Sequence, residues 1–197
     1  MLRKIVTITL IAFVVGTAFI SCSSAPEEKE EVPVTRKIIG QDGVPMPDWV
    51  NKNPKSETHF YAVGYAMKSS RAISKTASGQ DARDQIARWV GTSVKNALVS
   101  YTSEGGEQTN TQTLSHFENI SKQVAEQTLV GVEEDEIWVD DKGGVYMLCS
   151  FPKANLNKSF EETVGTFQRN EAAAFAEFKA KEALSFLEKE TADGVQK

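Results

Sequence analysis

"VEEDEIWVDDKGGVYMLCSFP", residues 132–152, decides how the chain is to be read. Two strand-like runs flank Asp140-Asp141-Lys142-Gly143-Gly144, residues that tolerate positive φ and close tight turns. The pattern predicts a β-hairpin. Pro152 ends its second strand, because proline has no N–H to give to a ladder. Cys149 sits in the apolar run "VYMLCSF" and is expected to be buried there as a small hydrophobe; no histidine lies near it in sequence to make it a nucleophile. Glu133, Glu134, Asp135, Glu136, Asp140 and Asp141 crowd the same span. Paired carboxylates can do acid–base work or bind Ca²⁺. Simple alternation, however, puts Glu134 and Glu136 on the face opposite Asp135 and Ile137, which reads as a solvated strand face and turn.

Upstream of the hairpin the period changes from two to 3.6. Residues 111–130 read as a helix with Leu114, Phe117, Val124 and Leu129 on its apolar face and Gly131 at its end. "SEGGEQTN", 103–110, separates it from a longer, proline-free helix running from Ser69 to about Tyr101. There Ala72, Thr76, Gly79, Ala82, Ile86, Val90, Val94, Ala97 and Tyr101 form one stripe, and Ser69 or Ser70 suits the N-cap. Before it, "HFYAVGYAM", 59–67, reads as a buried strand in which Gly64 marks a bulge or a close backbone approach. "PDWV", 47–50, starts the folded part.

Downstream, one long helix is expected from about Asn157 to Glu190. Phe160, Val164, Phe167, Ala174, Phe175 and Phe178 share one face, and Ala173, Ala176, Ala180, Ala183, Leu184 and Leu187 form a second set opposite. A helix apolar on two sides needs two neighbours, so Ala176, Ala180, Leu184 and Leu187 are candidates for a helix-in-groove contact with a partner. The expected fold is α+β. A small antiparallel sheet, one strand plus a C-terminal hairpin, is packed by a long helix and a second helix and followed by the long C-terminal helix. The expected boundaries are 1–21 for a signal peptide, 22–46 for a tether, 47–156 for the α+β domain and 157–197 for the C-terminal helix and tail.

At the N-terminus, Arg3 and Lys4 precede an uncharged, mostly apolar run from Ile5 to Ile20. As a helix that run spans roughly 24 Å, short of a bilayer core of roughly 30 Å, which favours a cleaved secretory signal over a retained anchor. Cys22 follows Phe19-Ile20-Ser21, which resembles the lipobox of bacterial lipoproteins, with Phe19 where leucine is usual. The resemblance implies a thioether-linked diacylglyceryl group on Cys22, an acylated amino terminus and, with Ser23 rather than aspartate next, sorting to the outer membrane rather than the inner. Residues 23–46 hold three prolines and an acidic bias, the composition of a flexible tether.

Removing residues 1–21 leaves 20 Lys and Arg against 27 acids, a net charge of −7 with histidines neutral. An acidic chain lacks the basic footprint that nucleic-acid binding needs. It also lacks an electrostatic grip on anionic lipid, so a membrane attachment has to be covalent. His59 and His116 are the only histidines, and no HExxH, CxxC, EF-hand, phosphate-loop or nucleophile-elbow spacing occurs. No cofactor or metal is expected. Arg83, in "GQDARDQ", falls inside the apolar stripe of the long helix. A buried arginine needs a partner, so an ion pair with an acid elsewhere is expected, with anion or ligand binding in a small pocket as the alternative. Trp49, Trp89 and Trp138 could line a groove but read as core and flank anchors.

The succession "PDWV", "YAVGYA", "ASGQDARDQIARWV" and "LVGVEEDEIWVDDKGGVYML", over roughly residues 46–156, resembles the Lpp-twenty family of bacterial membrane-associated lipoproteins. The resemblance implies a compact α+β domain on a lipid tether. It also implies kinship with surface antigens and envelope proteins linked to flagellar outer-membrane structures. It carries no reaction. The function expected is that of a non-enzymatic envelope lipoprotein acting in assembly, through self-association or an envelope protein partner. The alternative is a periplasm-facing module that binds a small ligand near Arg83. A hydrolase would need carboxylates converging in a cleft.

Overall fold

The computed structural model describes residues 37–104, 111–170 and 179–193. In chain order they form β1 (His59–Ala66), α1 (Arg71–Glu104), α2 (Thr111–Thr128), β2 (Glu133–Val139), β3 (Val145–Pro152), α3 (Lys153–Asn170) and α4 (Ala180–Asp193), with 3-10 turns at Asp48–Val50 and Leu129–Gly131. The hairpin forms as its turn chemistry requires. The Asp140 amide donates to the Gly144 carbonyl at 2.9 Å, and Asp140 Oδ1 accepts the amides of Lys142 and Gly144 at 2.9 and 2.7 Å. Gly143 takes φ +90°, a conformation closed to most side chains. β1 pairs with the other edge of β3, so the sheet is antiparallel in the order β1-β3-β2. The fold class read from the sequence, α+β with one strand added to a hairpin, is the one observed.

β3 is buried on both faces, which is why it is apolar throughout. Met147, Cys149 and Phe151 point into the main core with the helices, and Tyr146 and Leu148 point into a second cluster with Trp49 and Trp138. α1 is the hub. It packs on β1 and β3 and also on α2 and α4. Ser70 Oγ caps its first turn, accepting the Ile73 amide at 3.3 Å. The predicted stripe holds from Gly79 to Ala97, but Ala72 and Thr76 are exposed and Ser74 and Ser78 are buried in their place. The reason is proximity. Gly64 of β1 lies so close to α1 that a Cβ there would overlap the Ser78 carbonyl oxygen and sit 2.5 Å from the Ala82 nitrogen. Only small residues fit on the helix at that crossing. On α2, Phe117, Ile120 and Val124 are buried, whereas Leu114, expected on the apolar face, is exposed.

Two segments differ from expectation. Residues 37–46, expected in the tether, pack on the domain. Ile39 and Pro45 form a β-bridge, the Gln41 amide donates to the Val139 carbonyl at 3.2 Å, and Trp138 Nε1 donates to the Val44 carbonyl at 3.0 Å. The C-terminal part is not one helix over 157–190. α3 and α4 lie side by side and antiparallel: Lys153 Nζ donates to the Thr191 carbonyl at 2.9 Å and Asn157 Nδ2 to Glu188 Oε1 at 3.3 Å. In a continuous helix these pairs would stand roughly 45 Å or more apart. The change of apolar face near residue 173 is therefore the mark of two helices, each with its own stripe. Phe160 and Val164 of α3 and Ala183 and Leu187 of α4 enter the same core. Residues 173–178 of the predicted faces lie outside the described residues.

Candidate functional site

Arg83 is the first candidate. It projects from α1 beside the sheet, and its Nη2 lies 3.0 Å from Glu134 Oε1. The expected ion pair exists. The side chain is about a third accessible rather than buried, so the pair bridges α1 and β2 at the edge of the core and adds little stability. Two residues earlier, Asp81 makes a contact with β1 that no local pattern announces. β1 is an edge strand, and an unpaired edge is a template for unwanted pairing. Asp81 Oδ2 accepts the Tyr65 amide at 3.0 Å, and Gln85 Nε2 donates to the Val63 carbonyl at 2.9 Å. Side chains of α1 thus occupy backbone groups of the strand.

The carboxylates of β2 do not form a pair. The register shifts between Glu134 and Glu136, which oppose Cys149 and Leu148. A bulge of this kind inserts one residue and turns the following side chains over. Glu134 therefore faces the helices and Arg83, while Glu136 faces the other side, where its Oε2 accepts Trp49 Nε1 at 2.7 Å. The expectation that both share one solvated face is corrected on this point, though both stay exposed. Ser150 Oγ donates to Asp135 Oδ1 at 3.1 Å. The tryptophans do not line one groove either. Trp49 and Trp138 are buried on the outer sheet face, and Trp89 stacks on Phe60 at 4.1 Å between ring centres.

Cys149 is fully buried. Burial pushes its thiol up from 9.0 to about 11, with nearby Arg83 acting the other way. Native protein at pH 8 should leave Cys149 unalkylated by iodoacetamide, and protein in denaturant should alkylate it, as read by mass spectrometry. Fast alkylation of the native form would contradict the burial. Between pH 9 and 11 the unfolded thiol ionises while the folded one keeps its proton, so this group lowers stability as pH rises through that window.

The candidate docking face on the C-terminal helix points inward. Leu187 is fully buried in the core, and Ala180 and Leu184 pack against it; Ala176 and the lipidation candidate Cys22 lie outside the described residues. His59 Nδ1 lies 2.9 Å from the Thr58 hydroxyl at the start of β1, and His116 is half-buried on α2. Among the described residues no group of three or more His, Cys, Asp or Glu could hold a metal ion.

Residues 47–151 match the LPP20 lipoprotein family. The chain belongs to that family. No curated protein and no solved structure matches it. The LPP20 segment takes in β1, α1, α2 and the hairpin up to Phe151, and stops one residue short of the end of β3, leaving out α3 and α4. Arg83, Glu134, Asp81 and the bulge all fall inside it. Membership makes this a lipoprotein, a class held at the cell envelope by lipid. No described helix is long and apolar enough to cross a membrane. The signals for the site were partly local: "GQDARDQ" placed Arg83 and Asp81 on one helix, but nothing in the sequence marked the one-residue slip that aims Glu134 at Arg83.

Proposed function

We propose that the protein is a non-enzymatic structural or assembly lipoprotein, held at the outer membrane through an acylated Cys22. The anchor rests on the arrangement of a basic start, a short apolar run and Cys22 behind Phe19-Ile20-Ser21, in a chain of the LPP20 family. Two or more acyl chains hold a protein stably where one gives only reversible attachment. Ser23 supports the outer membrane over the inner.

One observation carries the non-enzymatic half. The polar groups that a catalytic reading would use are engaged in holding the fold. Arg83 is bound to Glu134, Glu136 to Trp49, Asp135 to Ser150, Asp81 to the edge of β1 and Asp140 to its own turn. Glu134 and Glu136 stand on opposite sides of the sheet, so they cannot act as an acid–base couple on one substrate. Because Arg83 already has its carboxylate, the small-ligand reading loses its anchor point.

Membrane separation on a density gradient tests the placement. The protein should band with outer-membrane markers, stay bound through high-salt and alkaline washes and leave only with detergent. A peak with the inner membrane would overturn the outer-membrane assignment. Chemical cross-linking in intact cells tests the assembly role. Discrete species above the monomer are expected, and monomer alone would contradict it.

A further inference from the structure

At one end of the sheet β1 stops at Ala66, β2 at Val139 and β3 begins at Val145. Three connections meet there. The turn at 40–43 is tied to β2 through the Gln41 amide and to the start of α1 through Arg71, whose Nη1 and Nη2 donate to the Asp42 carboxylate at 2.9 and 2.6 Å. The 140–144 turn adjoins both, since a Cβ on Gly143 would sit 3.4 Å from Gln41 Nε2 and one on Gly144 2.6 Å from the Tyr65 hydroxyl. Nine large apolar side chains are left exposed among the described residues, and six of them gather at this end: Ile38, Ile39, Val44, Tyr65, Met67 and Ile73, each 44–55% accessible. The remaining three, Leu114, Val130 and Ile137, are dispersed over α2, the turn before β2 and β2 itself.

We propose that this end of the domain is a membrane-contacting surface, with the six side chains seated at the headgroup–hydrocarbon boundary of the lipid layer that holds Cys22. The inference rests on the lipid-anchor reading of Cys22. What selects a lipid surface over another occupant is where the chain joins the domain. Lys37 is next to Ile38 in this cluster, and it lies fifteen Cα–Cα steps along the chain from Cys22, with fourteen residues between them. Fully extended, that stretch reaches at most roughly 50 Å. Any face of the domain could turn to the membrane, but the end that carries the attachment is held nearest, where the lipid is at high effective concentration.

The chemistry agrees. The apolar side chains come from two separate segments, 38–44 and 65–73, rather than from one groove. Tyrosine among aliphatic residues is a common composition at a membrane boundary. Exposed Lys37, Lys68 and Lys75 lie beside them, with stems long enough to cover apolar surface while the ammonium stays at the headgroups. The acidic balance of the whole chain makes the contact apolar first and electrostatic second.

The test uses the lipidated full-length protein in vesicles of phosphatidylethanolamine and phosphatidylglycerol containing doxyl-labelled lipid. Cys149 is buried and Cys22 is acylated, so an introduced surface cysteine is the thiol that labels. Met67→Cys and Ile73→Cys carry an environment-sensitive nitrobenzoxadiazole probe, and Val130→Cys, near the opposite end of the sheet, carries the same probe as a reference. Flotation is read first. A protein that fails to float removes the lipid anchor and this inference with it. If it floats, blue-shifted emission quenched by doxyl lipid is expected at 67 and 73 and not at 130. Equal, water-like emission at all three positions would overturn the membrane contact while leaving the anchor intact. A blue shift at 67 and 73 that doxyl lipid does not quench would also overturn it, in favour of contact with a second copy or another protein.

Discussion

Gly64→Ala should cost on the order of 3 kcal/mol of folding stability, the upper part of the range for overpacking a close contact. For a folded part of this size that is a loss of roughly 10 °C in melting temperature. The sign is the informative feature. In an ordinary strand, replacing glycine by alanine gains about 0.5–1 kcal/mol, because the unfolded chain loses freedom. Gly64 has no positive φ to forbid a side chain. What forbids it is backbone. The new methyl would meet the Ser78 carbonyl and the Ala82 nitrogen of α1, and neither can swing away as a flexible side chain could. β1 and α1 would have to part, opening the crossing lined by Ala62, Ala82 and Ile86. Thermal unfolding of the two proteins decides it: an unchanged or higher melting temperature would show that the strand does not press on the helix.

Leu187→Ala is the second large effect, expected to cost about 3 kcal/mol within the range of 2–5 kcal/mol seen when a buried leucine is cut back. Leu187 is completely buried, with Ala183, Val164, Phe160 and Leu156 in the same cluster. Removing its branched end leaves a cavity that α3, α4 and α1 can close only in part. Were Leu187 part of a face offered to a partner, the same change would alter monomer stability by less than about 0.5 kcal/mol, as surface substitutions do. Denaturant unfolding of the detergent-free domain separates the two cases. A midpoint equal to that of the unmutated protein would mean that α4 is not part of the core.

The hairpin, the long central helix and the extra strand were legible because each has a local cause: turn residues at Asp140–Gly144, a stripe at 3.6-residue spacing, an aromatic and apolar run at 59–66. What escaped was set by distance in the chain. The 153–193 stretch has no proline or glycine pair to announce a reversal, so two stripes read as one helix with two faces. The small residues that line α1 from Ser74 to Ala82 follow from the closeness of β1, which no pattern within the helix reveals. A bulge at Asp135 costs one residue of register and sends Glu134 and Glu136 to opposite sides. Arg83 was legible as a cation needing an acid, and Glu134 could not be picked out from its acidic neighbours without the bulge. The segment 37–46 read as tether because it continues the acidic, proline-containing stretch that starts at residue 23, yet it carries Ile38, Ile39 and Val44 at one end of the sheet.

These placements bear on function together. The folded domain uses charged and aromatic residues to brace a small sheet against α1. An anchor on Cys22 joins that domain at Lys37, beside the end where most of the exposed large apolar side chains among the described residues gather.

Intact-mass spectrometry of the protein extracted from cell membranes with detergent decides whether Cys22 carries the lipid. The expected chain begins at Cys22, with an added mass equal to a diacylglyceryl group and one further acyl chain, and with all of that mass on the N-terminal peptide. A chain that still begins at Met1, or one that begins at or near Cys22 with no added lipid, would contradict the lipid anchor.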